Sequence, residues 1–378
     1  MPELVAAVLA GRPGVDLLLA CWDRGDAVMP VDPRMPPPAV ERLLGAMRPH
    51  RFIDGSGAVQ TLPDPLPIED GDALVMVTSG STGDPKGVVH THRSVEASAQ
   101  ATTEALGVDR HRDRWLCCLP LAHVAGLSVV LRARWASVPC EVIRTFDAAE
   151  VMAAARERGA TLTTLVPTAL ARIDPSAFRR IVVGGAAPPA TLPPNVVVSY
   201  GMTETGSAVA YDGWPLPGVE IRIVDGEIQL RGPMLLRTYR DGHNPCTPDG
   251  WFPTDDAGAW DDEGRLVVHG RRGDLIISGG ENVWPAEVER VLGEHPGVRE
   301  VAVHGRPDPE WGQRVVAIVV PADPSEPPRL EQLRAAVKEQ LPAYAAPREL
   351  QLVPALPRSP LGKVIRSQLP AGSGPSSN

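Results

Sequence analysis

The run Thr78-Ser79-Gly80-Ser81-Thr82-Gly83-Asp84-Pro85-Lys86-Gly87 lies between apolar, strand-like stretches at residues 73–77 and 88–89. Its glycines allow a tight turn whose N–H groups can converge on an anion. Hydroxyls from Ser79, Ser81 and Thr82 and the cation of Lys86 complete a cradle suited to nucleotide phosphates. The order Pro-Lys-Gly is not the Gly-Lys-Ser/Thr of a Walker loop, which argues against a GTPase-like protein. A flexible linker would share the composition, but an ordered Pro-Lys-Gly between two strands is not linker-like.

The rest of the chain narrows the class. At 378 residues it is long enough for two or more cores. With only 4% aromatic residues, those cores must be packed mainly with Val, Leu, Ala and Ile. A formal charge of −9 without a basic block disfavours nucleic acid as a partner. No apolar run reaches the roughly 20 residues of a membrane helix. The N-terminus lacks a basic segment followed by a secretory apolar core. Five cysteines without Cys-x-x-Cys spacing fit reduced thiols. No membrane partner and a cytoplasmic location are therefore expected. Only the Gly/Ser/Pro-rich tail, 371–378, is expected to be disordered.

Short apolar runs at 115–119, 141–143, 161–166, 180–183 and 196–199 alternate with helix-like segments such as 147–158, opened by Asp147 as N-cap. That rhythm predicts an α/β fold, with mainly parallel sheets covered by helices. From about 218 to 270 the texture changes to short strands and turns, predicting a β-rich part. Beyond Arg272 a smaller α+β unit is expected, with helices at 285–292 and 330–340 and strands at 298–304 and 314–320. The expected division is a large domain over 1–272 and a small mobile domain over 273–370.

Six further segments recur in order: 119–127 (Leu-Pro-Leu-Ala-His-Val-Ala-Gly-Leu), 200–205 (Tyr-Gly-Met-Thr-Glu-Thr), 250–258, Gly270-Arg271 with Asp274, 278–289 and 357–363. With the glycine loop, they resemble the adenylate-forming superfamily of acyl-CoA synthetases, luciferases and peptide-synthetase adenylation domains. The likeness runs from about Asp72 to Arg366.

This resemblance implies two half-reactions. A carboxylate attacks the α-phosphate of ATP to give an acyl-adenylate and pyrophosphate, and a thiol, usually of coenzyme A, then displaces AMP. Two anions must meet, so charge neutralisation dominates: at an effective dielectric near 20, unit charges 4 Å apart interact by about 4 kcal/mol. Lys363 matches the lysine bridging carboxylate and phosphate. Glu204, with Thr78, matches the Mg²⁺ ligands on the triphosphate. Tyr200 corresponds to the adenine-stacking aromatic, with Gly201 and Thr203 beside it. Asp256 and Arg271 match the ribose and phosphate contacts. The chain has Asp255 where the family carries glycine; either aspartate could bind ribose, and register with Trp251-Phe252 and Gly258 favours Asp256.

On the acid side, the resemblance places His123, Gly184-Gly185-Ala186, Ser199 and Thr205. His123 fits a core residue or gating aromatic as well as a catalytic one. Asp274 matches the hinge, and the Ser278-Gly279-Gly280-Glu281 loop replaces Lys363 when the thiol enters.

The chain carries roughly a hundred fewer residues ahead of the glycine loop than full-length relatives. It resembles the short o-succinylbenzoate–CoA ligases of menaquinone biosynthesis, including in its 275–282 and Trp311-Gly312-Gln313 segments. Arg132, nine residues after His123, could meet such a substrate's second carboxylate, or be a surface arginine beside Arg134. Expected partners are a small carboxylic acid and CoA. A carrier-protein thiol or another aromatic or aliphatic acid fits the same motifs, and a homodimer is compatible with them.

Overall fold

Leu4–Val8 and Ala27–Val31 are almost wholly buried on both faces, so they form interior strands of a parallel sheet. The computed structural model describes residues 2–79, 85–185, 191–358 and 364–370. The chain divides into two compact units. One comprises Met1–Pro188, Pro193–Arg222 and Gln229–Pro253; the other comprises Pro189–Leu192, Ile223–Ile228 and Thr254–Asn378.

The first unit holds two seven-stranded sheets. In one, Thr238–Tyr239, Pro85–Thr91, Asp72–Ser79, Ala27–Val31, Leu4–Val8, Arg51–Ile53 and Val59–Thr61 lie side by side. Its centre is parallel and its edges antiparallel. In the other, Val196–Met202, Arg180–Val183, Leu162–Leu165, Trp115–Cys117 and Cys140–Val142 run parallel. Ser207–Tyr211 and Trp214–Pro215 close one edge antiparallel. The α/β expectation holds, with antiparallel borders on a parallel centre.

Helices His92–Ala105 and Val124–Ala136 pack on each other, and both touch Ser207–Tyr211. The first begins with a capping box in which the Thr91 hydroxyl accepts from Ser94 N–H and the Ser94 hydroxyl accepts from Thr91 N–H. The second is buried along most of its length, from Gly126 through Ala133. Asp147 does cap its helix, accepting from Glu150 N–H at 2.9 Å.

In the second unit, Phe252–Trp260 and Leu266–Arg271 form an antiparallel pair that sets Asp256 opposite Arg271. A five-stranded sheet follows, with Gly312–Pro321 central between Val298–Asp308 and Ile276–Ser278, and Glu349–Leu352 pairing parallel to it. Val315, Ala317 and Val319 face a core with Val288, Leu292, Leu333 and Val337 of helices Pro285–Gly293 and Leu330–Gln340. Val316, Ile318 and Val320 face a separate cluster with Leu356 and Leu369, as the two-residue strand period requires. No helix among the described residues is long and apolar enough to cross a membrane.

Candidate active site

Strands Asp72–Ser79 and Pro85–Thr91 pair up to Thr78 opposite Lys86 and Ser79 opposite Pro85. They bring Thr78 and Lys86 together at the neck of the glycine run. Gly80, Ser81, Thr82 and Gly83 lie outside the described residues, as do Ala186, Lys363 and the 371–378 tail. On either side of 359–363, Arg358 and Val364 form an antiparallel bridge.

Lys86 Nζ sits 5.5 Å from the ring centroid of Tyr239, whose hydroxyl donates to Glu204 Oε1 at 3.0 Å. Thr203–Thr205 form a short 3₁₀ turn after strand Val196–Met202. Its position is set from behind by His90, whose Nε2 lies 2.7 Å from Thr203 O. Burial pushes His90 down to about 4, with the Thr203 bond opposing, so the ring is neutral. A bond to a carbonyl then requires the proton on Nε2, leaving Nδ1 facing Ser94 Oγ at 3.3 Å. Tyr200 lies opposite Ala210, just before a register shift at Gly201. At Gly201 a side chain would meet Ser207 O at 2.2 Å, so the two backbones touch.

Arg132 is buried, not on the surface. It comes from helix Val124–Ala136 and donates to Ser207 Oγ and, at 3.3 Å, to Thr164 Oγ1. Its guanidinium stands 5.7 Å from the Trp115 ring centroid. Thr205 Oγ1 reaches Ser207 O at 2.5 Å, so Thr205 and Arg132 meet through one serine. Arg132 makes no ion pair with a carboxylate among the described residues. It lines a cavity whose other walls include Leu74, Met76, Val95, Ala99, Leu127 and Leu131. Gly184 abuts Ser199, whose hydroxyl donates to Val183 O at 3.2 Å, and Gly185 has φ +81°.

His123 holds the N-cap position of the Arg132 helix without a capping bond from its side chain. Its Nε2 lies 3.4 Å from Asp32 Oδ2 but makes no hydrogen bond among the described residues, so the contact is electrostatic. Burial lowers the His123 pKa; Asp32 opposes that shift and Arg34 reinforces it.

In the second unit, Arg271 Nε lies 3.0 Å from Asp256 Oδ1 and its Nη1 donates to Thr254 O at 2.7 Å. Asp256 is buried, whereas Asp255 is exposed with φ +61°, the left-handed region that the family's glycine adopts freely. Asp274 ends a 3₁₀ turn and faces Arg366 Nε at 3.2 Å. Ser278 and Glu281 pair across Gly279-Gly280, both with positive φ, as a two-residue hairpin turn needs. Gly279 N–H donates to Trp311 O at 2.8 Å, and the Trp311 ring leaves no room for a side chain on Gly279.

Sequence reasoning missed Asp32, Arg34, His90, Thr164, Ser207 and Tyr239. Only Asp32 carried a signal: it follows an apolar run that would be a strand, and carboxyl ends of parallel strands are where α/β sites form.

The AMP-binding enzyme family matches residues 51–240, and its C-terminal domain matches 287–363. A probable 2-succinylbenzoate–CoA ligase of Mycobacterium tuberculosis is 41% identical over 368 residues, covering 88% of this chain and 93% of the relative. The o-succinylbenzoate CoA synthetase of Bacillus subtilis, solved with the acyl-adenylate intermediate OSB-AMP, superposes with a TM-score of 0.86 at 30% identity. That match covers 98% of this chain and 88% of that one. The same enzyme with ATP and magnesium ion gives 0.84 at 30% identity, covering 97% and 89%. The chain belongs to the AMP-binding enzyme family. Its fold is that of the adenylate-forming enzymes.

Proposed function

We propose that this protein is an ATP-dependent acid–CoA ligase that works through an acyl-adenylate, and that its acid is o-succinylbenzoate. The observation that carries the choice of acid is the buried Arg132, held by hydroxyls and facing a largely apolar cavity. Burying a guanidinium without an acid partner costs several kcal/mol. A ligand that brings its own carboxylate to Arg132 recovers that cost, and o-succinylbenzoate carries one besides the carboxylate that reacts. Ser199, Thr205, Gly184, Gly185, Ala186 and His123 are assigned to the acid side.

ATP is assigned to the glycine run, Tyr200, Gly201, Thr203 and the Asp256–Arg271 pair. The residues present fit Mg²⁺. Glu204 makes no ion pair with Lys or Arg among the described residues, and one of its oxygens is fixed by Tyr239, leaving the other for a hard cation. Thr78 adds a hydroxyl at the neck of the same loop. When bound, the cation neutralises the triphosphate and the departing pyrophosphate. Lys363 then neutralises the attacking carboxylate, and residues beyond Asp274 rotate so that the 278–281 loop admits the thiol. A cytoplasmic location and a homodimer are both compatible with this reading.

A panel of acids in a CoA-dependent AMP-release assay tests the proposal. O-succinylbenzoate should be preferred, and Arg132→Met should raise its KM about 100-fold while leaving benzoate unaffected. Preference for benzoates or fatty acids in the native enzyme would reject the acid. Acyl-AMP formation without thioester from free CoA would point to a carrier-protein thiol.

A further inference from the structure

We infer that Tyr239 is a positioning residue for the triphosphate end of the site, ordering Glu204 with its hydroxyl and Lys86 with its ring face. The inference rests on the proposed role of Glu204. Tyr239 lies in a two-residue edge strand, Thr238–Tyr239, paired antiparallel with Pro85–Thr91 so that Tyr239 is opposite Val88. Its backbone is fastened along both flanks. Leu236 N–H donates to Glu204 O at 2.8 Å, Arg237 N–H to Val89 O at 2.8 Å, and Arg240 N–H to Gly87 O at 2.7 Å. One short segment therefore ties the 203–205 turn to the strand that leaves the glycine run.

The phenol uses that fixed position in two ways. Its O–H donates to Glu204 Oε1 at 3.0 Å, holding the carboxylate in one rotamer and leaving Oε2 as the oxygen that can meet a cation. Its ring lies 5.5 Å from Lys86 Nζ, where the negative π-face attracts an ammonium. Glu204 and Lys86 carry opposite charges and both contact Tyr239. A direct carboxylate–ammonium pair would occupy both groups and present neither to a Mg²⁺–phosphate complex. Tyr239 separates them by offering each a different surface.

Tyr239→Phe keeps the ring and removes only the hydroxyl, so its effect should fall on the metal. Binding of Mn²⁺ to the enzyme–ATP complex, followed by electron paramagnetic resonance without any acid present, should weaken about tenfold. The Mg²⁺ concentration for half-maximal ATP–pyrophosphate exchange should rise similarly, with the KM for acid within about twofold of wild type. Tyr239→Leu, which also removes the ring face, should raise the KM for ATP as well. A purely structural tyrosine would lower thermal stability and alter all parameters together. Unchanged Mn²⁺ affinity in Tyr239→Phe, with loss in Glu204→Gln, overturns the role of Tyr239 and leaves the proposed function standing. Absence of ATP-dependent Mn²⁺ binding in the wild type overturns both.

Discussion

The imidazole of His123 stands 3.4 Å from the carboxylate of Asp32, joining the helix that carries Arg132 to the end of strand Ala27–Val31. Burial would raise the Asp32 carboxyl, but Arg34 donates to it from its backbone at 2.9 Å and its side chain at 2.6 Å, and holds it below the usual range. Asp32 is thus a fixed anion that favours protonated His123, while burial and Arg34 oppose it. Asp32→Asn removes the only one of these that raises the His123 pKa, so that pKa should fall further. Nuclear magnetic resonance titration of the imidazole checks the sign. A rise or no change would show that Asp32 does not act on His123.

His90 should make the enzyme acid-labile. Its folded pKa is about 4 and its unfolded value about 6.5. Between those values the unfolded chain binds a proton and the native one does not, so stability falls as pH drops through the window. The loss approaches about 3 kcal/mol near pH 4. His90→Gln, which still offers an N–H to Thr203 O, should flatten that part of the profile. Urea midpoints of both proteins at pH 7 and 4.5 give the comparison, and equal acid losses would contradict it.

Two glycines should respond differently to an added methyl group. At Gly201 the methyl meets backbone atoms, Ser207 O at 2.2 Å and Ala208 Cα at 2.7 Å, so Gly201→Ala should cost roughly 3 kcal/mol and resist rescue. At Gly184 the obstacle is the Ser199 hydroxyl at 2.2 Å. Gly184→Ala should therefore be destabilising alone and largely restored by Ser199→Ala. Thermal unfolding of the single and double variants decides it; no recovery at Gly184 would place the strain in the backbone.

The neighbouring aspartates should separate cleanly. Asp256 is buried against Arg271, and Asp255 is exposed in the left-handed region. Asp256→Ala should raise the KM for ATP about 100-fold. Asp255→Gly should leave it within about twofold, and Asp255→Val should lower stability by about 1–2 kcal/mol. A larger nucleotide defect at 255 than at 256 would reverse the assignment.

Lys363→Ala should reduce ATP–pyrophosphate exchange of the order of 10²-fold or more, while thioester formation from preformed acyl-adenylate persists. Unchanged exchange would remove Lys363 from the adenylation step.

Legibility in the sequence followed the range of the physics. Helix Leu330–Gln340 was readable to its ends because apolar residues recur on one face of a solvent-facing helix. The turn at Gly279-Gly280 sits within a predicted loop, since positive φ at two adjacent residues calls for glycine. Helix Val124–Ala136 was not readable: buried from Gly126 through Ala133, it has no polar stripe to set a period. The partners of the site residues were equally hidden. His90 meets Thr203 across 113 residues, and Tyr239 meets Glu204 across 35.

By itself, then, the order of residues determined the motif set and the class of chemistry, because glycine turns, hydroxyl donors and paired charges act through neighbours a few positions apart. Tertiary structure alone decided that Arg132 is buried without an acid partner among the described residues, that Asp32 faces His123, and that one phenol touches both Glu204 and Lys86. Those contacts join strands and helices distant in sequence, and they exist only once burial of the two sheets has brought such segments together.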